Sequence, residues 1–289
     1  MLRRSVLLAL ASSAAAWQST AVSHAASSQR GAVRMITEAE QRVSNAMELK
    51  PVSDESARTT GLALALDDGT RKSHSVAENT AFVTGFFRGI ATKGAFSQLV
   101  ADLFFIYEAM ESAFDTSTDE NVRALDYPEL RRRAALELDM EYYFGSSWRE
   151  TVRPTPATQA YVARVEKVAE EDPYLLVAHM YTRYLGDLFG GQMMGGMARR
   201  SLNLDAGMGI KFYEFDYIPE TKPFIEAWYQ RLNELELDDA QKQAIVDEGN
   251  LVFALNIGIF DELEGNPAGA MLKLALSGLK SAVGLGEKP

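Results

Sequence analysis

There is no cysteine in this chain of 289 residues. That single absence removes disulfides, thiolate metal sites, iron–sulfur clusters and cysteine nucleophiles. Histidine is almost as scarce, with three residues, His24, His74 and His179. A metal cofactor held through nitrogen must use one of them. His24 falls in a segment that reads as a leader, so the choice lies between His74 and His179.

Acid is missing from the start of the chain: the first carboxylate is Glu38. Also missing is any apolar run long enough to cross a bilayer. Met1-Leu2-Arg3-Arg4 opens with two positive charges, Ser5 to Ala11 is a short apolar run, and Ser12-Ser13-Ala14-Ala15-Ala16 follows with small residues. This is the pattern of a signal peptide rather than a membrane anchor. Trp17 to Arg34 is rich in Ser and Ala, carries Arg30 and Arg34, and has no acid. A signal-like segment followed by a transit-like one resembles the two-part leaders of nucleus-encoded plastid proteins, with simple secretion as the alternative. The expected organisation is a leader over 1–34, an N-terminal extension over 35–57, one domain over 58–267 and a tail over 268–289.

Setting the leader aside removes four of the 29 basic residues and none of the 40 acidic ones, leaving a net charge of −15. An acidic surface of that size excludes nucleic acid as the expected partner, because phosphate contacts need a basic field.

Strand signals are scarce too. Apolar residues recur at helical spacing from Leu62 to Phe86 on both sides of His74. The same spacing predicts helices over Phe96 to Phe114, from Pro128 as a first-turn residue, over Arg131 to Phe144 and over Thr155 to Glu171. Asp172-Pro173 starts a long helical segment through Arg200, and Pro223 to Leu235 and Asp238 to Leu263 complete the set. Thr37 to about Asp54 reads as a helix or a loose extension, and Met271 to Val283 as an amphipathic tail. Phe212 to Phe215 has the composition of a short strand, but it stands alone and implies no sheet. The fold class is therefore all-α, a single helical domain.

The helix after His179 is unusual. Gly186, Gly190, Gly191, Gly195 and Gly196 fall within eleven residues. Each glycine inside a helix costs about 1 kcal/mol relative to alanine, so the stretch gives up roughly 4–5 kcal/mol of local preference. At about 100° per residue, Gly186, Gly190 and Gly191 share a broad face with Arg183 and Asp187. Such a face lets a flat ligand lie close to the helix backbone. Close packing of a neighbouring helix through small residues is the other explanation. The carboxylate of Asp187, four residues from Arg183, favours a site.

The segments Arg71-Lys72-Ser73-His74-Ser75-Val76-Ala77-Glu78-Asn79 and Tyr181-Thr182-Arg183-Tyr184-Leu185-Gly186-Asp187-Leu188-Phe189-Gly190-Gly191-Gln192 resemble the proximal and distal motifs of heme oxygenases. The likeness is nearest to the biliverdin-forming enzymes of cyanobacteria and algal plastids. It runs from about Leu66 to Asn266 and includes Tyr142 to Arg149 and Val252 to Asn256.

The resemblance implies heme b as both cofactor and substrate, sandwiched between a proximal and a glycine-rich distal helix. It further implies O2 as co-substrate, reduced ferredoxin as electron donor, and biliverdin (IXα), CO and ferrous iron as products for bilin synthesis. His74 would be the proximal iron ligand, with Glu78 orienting its imidazole. Gly186, Gly190 and Gly191 would seat the distal helix on the ring. Asp187 would anchor the water that delivers a proton, and Arg183, Tyr107 and Asn256 would extend its network. Phe212 and Phe253 match walls of the heme pocket, and Arg71, Tyr181 and Tyr229 would contact the propionates. His179 matches a residue that is not a ligand. Ferredoxin would meet a basic patch drawn from Arg71, Lys72, Arg199 and Arg200. A bilin reductase would follow as a further partner, and the chain would act as a monomer in the plastid stroma.

Three positions depart from the family pattern. Asp67, Ile225 and Tyr229 stand where basic groups near the propionates are usual. That departure motivates a second reading, a non-catalytic heme carrier or sensor on the same fold. A helical interaction protein without heme is the third.

Overall fold

Every regular element among the described residues is helical. The computed structural model describes residues 56–89, 92–205 and 207–265. The expected leader, the extension up to residue 55 and the amphipathic tail lie outside them.

Local chemistry accounts for the element boundaries. Helix α1, Gly61–Glu78, buries Leu62, Ala63, Leu66, Thr70 and Ala77 along one stripe. The helical spacing around His74 does not run unbroken to Phe86. Asn79 and Thr80 interrupt it, and Thr80 caps α2, Ala81–Phe87, by accepting the Val83 amide. Helix α3, Lys93–Thr116, is capped by Thr92 and forms the centre of the domain. Its Leu99, Ile106, Tyr107 and Met110 are almost wholly inaccessible to solvent. Helix α4, Glu120–Leu125, is short and is capped by Asp119.

Two expectations change here. Pro128 opens a 3-10 turn, Pro128–Leu130, rather than an α-helix. The next helix, α5, spans Arg133–Phe144 rather than starting at Arg131. The cause is the buried carboxylate of Glu111, which takes the amides of Arg132 and Arg133 at 2.5 and 3.1 Å and so ends the preceding segment.

Helix α6, Trp148–Thr151, is a single turn. Helix α7, Pro156–Glu171, has Pro156 in its first turn and Thr155 as its cap. The long segment after Asp172 is continuous but not uniform. A 3-10 turn at Pro173–Leu175 leads into α8, Leu176–Met180, then a π-helical turn, Tyr181–Leu185, then α9, Gly186–Ser201. The supposed strand at Phe212 is a 3-10 turn, Lys211–Tyr213. Asp139 accepts the amides of Lys211 and Phe212, both at 2.8 Å, leaving them nothing to donate to a partner strand. Helix α10, Thr221–Asn233, and helix α11, Asp239–Leu263, follow, the latter with a capping box between Asp238 and Gln241.

Packing brings α11 along α1, while α3 lies against α5 and α7. The joint between α3 and α7 contains a buried acid. One oxygen of Asp102 receives the hydroxyls of Thr158 and Thr155 at 2.8 and 3.4 Å and the Gln98 amide at 3.1 Å. Its other oxygen has no hydrogen-bond partner among the described residues. Burial raises Asp102 to about 6, and it likewise raises Asp139 to about 6. A carboxyl whose pKa is higher folded than unfolded favours the folded state when protonated. Its contribution is full below about 3.8 and is lost as the pH rises through about 6. Urea unfolding between pH 4 and 7 should show stability falling across that window, and Asp102→Asn should make the fall measurably smaller.

Candidate active site

Helix α1 presents His74 and Glu78 one turn apart, and both side chains are more than half exposed. They stand on the wall of a cleft of about 400 Å³, within the usual range for a small-molecule site. Across the cleft run Tyr181, Thr182, Leu185, Gly186, Phe189 and Gly190; Phe253 of α11 and Tyr229 of α10 supply the sides. The ring of Phe253 meets the His74 imidazole edge-on at 5.3 Å, which limits how that ring can turn. The nearest His74 nitrogen is 3.6 Å from Glu78, an ion-pair neighbour rather than a hydrogen bond.

The glycines divide into two sets. A Cβ placed on Gly186 or Gly190 would meet nothing within 4 Å, so both leave bare backbone toward the cleft. A Cβ on Gly191 would come within 3.2 Å of the Tyr213 ring, and one on Gly195 within 2.8 Å of the Tyr213 side chain. Gly191 is therefore not part of the cleft floor, contrary to expectation. At about 100° per residue the face from Gly186 to Gly191 is too wide to point one way. At its far edge the Asp187 side chain and the Gly191 backbone are buried in the protein. The run thus serves two surroundings: Gly186 and Gly190 face open space, while Gly191 and Gly195 make room for Tyr213 on the 3-10 turn.

Phe212 needs the same correction. It is buried behind the cleft, 5.4 Å from the ring of Tyr107 and 4.8 Å from that of Tyr213, and lines no part of the opening.

Directly behind the bare glycines lies a buried polar network. Tyr107 donates its hydroxyl to Asp187 Oδ2. Arg183 Nη2 donates to both oxygens of Asp187 at 3.2 Å, and its Nη1 donates to Asn256 Oδ1 at 2.8 Å. Asn256 is itself fixed by donating to the Val252 carbonyl at 2.8 Å. All four expected members are thus brought together from α3, the π turn, α9 and α11. The π turn aims Arg183 back across the network.

Burial raises the Asp187 pKa above the ordinary carboxylate value, although Arg183 and Tyr107 oppose the shift. Tyr107 is pushed far above the usual phenol range by burial and by the Asp187 charge. Asp187 is therefore a carboxyl with raised proton affinity, ringed by donors and one helical turn from an open surface.

His179 is fully buried and its Nε2 lies 3.1 Å from Glu248, which also receives Arg164. It is part of an internal ion network and faces no cleft. That leaves His74 as the only histidine among the described residues with access to a ligand.

Two lining residues had no expected role. Arg58 comes from a 3-10 turn, Ala57–Thr59, ahead of α1, and Thr70 lies on α1 itself. Ile225 is buried and does not reach the cleft, whereas Asp67 and Tyr229 do.

In this helical domain one accessible histidine faces bare helix backbone across a cleft, with the buried network around Asp187 behind it. The heme oxygenase family model matches residues 60–262. Heme oxygenase 1 of Synechocystis sp. is 46% identical over 209 residues, covering 72% of this chain and 87% of its own. The heme oxygenase of Pyropia yezoensis is 43% identical over 206 residues, covering 71% and 87%. Among solved structures, Synechocystis heme oxygenase-1 in complex with heme aligns with a TM-score of 0.69 at 44% identity, over 76% of this chain and all of the other. The chain belongs to the heme oxygenase family.

Proposed function

We propose that the chain binds heme in the cleft between α1 and α9 and cleaves it to biliverdin, CO and ferrous iron. The single observation that carries this is the pairing of an accessible His74 with bare Gly186 and Gly190 across one cleft. The residues present fit the group. A Cβ on either glycine would occupy the space that a porphyrin face needs, and an imidazole is the donor expected for its iron.

Heme, when bound, supplies the iron at which dioxygen is activated and is itself the molecule consumed. His74 would hold the iron from the α1 wall, with Glu78 one turn on to orient the ring. Gly186 and Gly190 would let the α9 backbone approach the opposite face. Asp187, fixed by Tyr107 and Arg183, would hold a proton at its carboxyl and anchor the water that carries it toward the cleft. Asn256 keeps Arg183 turned toward Asp187. Phe253 would pack beside the bound ring, and Arg71, Tyr181 and Tyr229, which line the same cleft, would meet its polar edge.

Reduced ferredoxin is the proposed electron donor, meeting basic residues among Arg71, Lys72, Arg199 and Arg200. The IXα isomer is the proposed product, passing to a bilin reductase in the plastid, with the chain acting as a monomer. Cyanobacterial and algal relatives support this setting. Among the described residues no helix is long and apolar enough to cross a membrane.

The test is turnover of hemin with a ferredoxin reducing system, in air and without oxygen, with the bilin isomer resolved by chromatography. Biliverdin IXα is expected in air alone. A mixture of isomers, or equal rates when ferredoxin is omitted, would overturn the finer parts of the proposal.

A further inference from the structure

Among the described residues, Arg58 and Arg71 are the only arginine or lysine side chains lining the cleft, and they differ in how they are held. Arg71 is 69% exposed and is engaged by Asp68 at 2.5 Å. Arg58 stands on a turn that α10 pins from two positions. Glu226 accepts Ser56 Oγ at 2.8 Å and the Ala57 amide, while Asn233 Nδ2 donates to the Ala57 carbonyl at 2.8 Å and to Thr60 Oγ1 at 3.2 Å. Asp67 Oδ1 then takes Arg58 Nη2 at 2.5 Å, and its Oδ2 reaches Arg71 at 3.4 Å.

We infer that Arg58 is the group that holds a carboxylate of the bound substrate at the mouth of the cleft, with Asp67 as its positioning residue. The inference rests on heme, a dicarboxylate, as the occupant.

A guanidinium carries five N–H donors in a planar fork, and Asp67 occupies a donor on one nitrogen. The remaining donors sit beside two phenols, Tyr181 and Tyr229, that line the same cleft. The hydrogen bond that Arg58 donates to Asp67, together with the nearby phenols, raises the Arg58 pKa, so its charge is permanent. Asp67 is lowered although burial opposes this, because Arg58 and then Arg71 outweigh the burial. The mouth is thus close to neutral, and its grip on an anion comes from directed donors rather than from net charge. A second carboxylate arriving there meets the charge of Asp67, so the positioning residue also weakens binding.

The experiment is a Soret titration of the full chain with hemin and with hemin dimethyl ester, which lacks the two acid groups. Arg58→Gln should weaken hemin about tenfold and change the diester less than twofold. Asp67→Asn keeps an acceptor for Arg58 while removing the opposing charge, and should tighten hemin a few-fold. The double variant separates direct contact from neutralisation. It should stay several-fold weaker than Asp67→Asn alone. If it binds hemin as tightly as Asp67→Asn, Arg58 merely neutralises Asp67 and the inference fails. Equal losses of hemin and diester with Arg58→Gln would also overturn it. A wild-type chain with no Soret response to either ligand would instead defeat the heme reading itself.

Discussion

Asp187→Ala is expected to bind hemin within about threefold of wild type while producing biliverdin at least about 100-fold more slowly, the scale of one positioned proton-transfer group. The carboxylate lines no part of the cleft, so its removal leaves the walls in place. What is lost is the centre of the network. Arg183 would keep only Asn256 as an acceptor, and the Tyr107 hydroxyl would lose the partner it donates to. Both groups are buried, so the change also costs about 1–3 kcal/mol of stability, readable by urea unfolding. Hemin titration and biliverdin formation measured on the same preparation separate binding from chemistry. If Asp187→Ala turns over at the wild-type rate, the proton role is wrong.

Gly190→Leu carries the second large effect, and its two readouts move in opposite directions. Nothing stands within 4 Å of where a Cβ would be, so the side chain enters the cleft without touching the folded core. A helical leucine is favoured over glycine by about 1 kcal/mol, so thermal stability should rise slightly. Hemin affinity should fall at least about 100-fold, because the isobutyl group fills the space opposite His74. The same change at Gly195 would do the reverse. It would collide with Tyr213, destabilise the protein and leave the cleft open. Equal hemin affinity for Gly190→Leu and wild type would show that the ligand does not lie against α9.

These contrasts show where the sequence was readable. Helical spacing located α3, α7 and α11 because each buries a regular apolar stripe in a continuous core. Tyr107, Arg183, Asp187 and Asn256 were legible as a group, and the structure brings them into one bonded network from four separate segments. The glycine run was legible as a departure from helix preference, but which glycine faces what was not. Gly191 and Phe212 were expected at the cleft and instead pack against Tyr213 and Tyr107. Small and aromatic residues carry no polar mark of which way they point, so tertiary packing decides. The π turn was invisible because its residues suit an α-helix equally well. The turn at Lys211–Tyr213 depends on a carboxylate 72 positions away in sequence. Arg58 lay ahead of the first motif on a turn shaped by α10. Nothing in the sequence tied it to the cleft.

The most direct test of the account is a single turnover. One equivalent of hemin bound to the full-length chain is reduced in air with ferredoxin, and the visible spectrum is followed. Loss of the Soret band with close to one equivalent of biliverdin and one of CO is the predicted result. A Soret band that survives many reducing equivalents, with no bilin formed, would mean that the cleft carries heme without cleaving it, and the central claim would be contradicted.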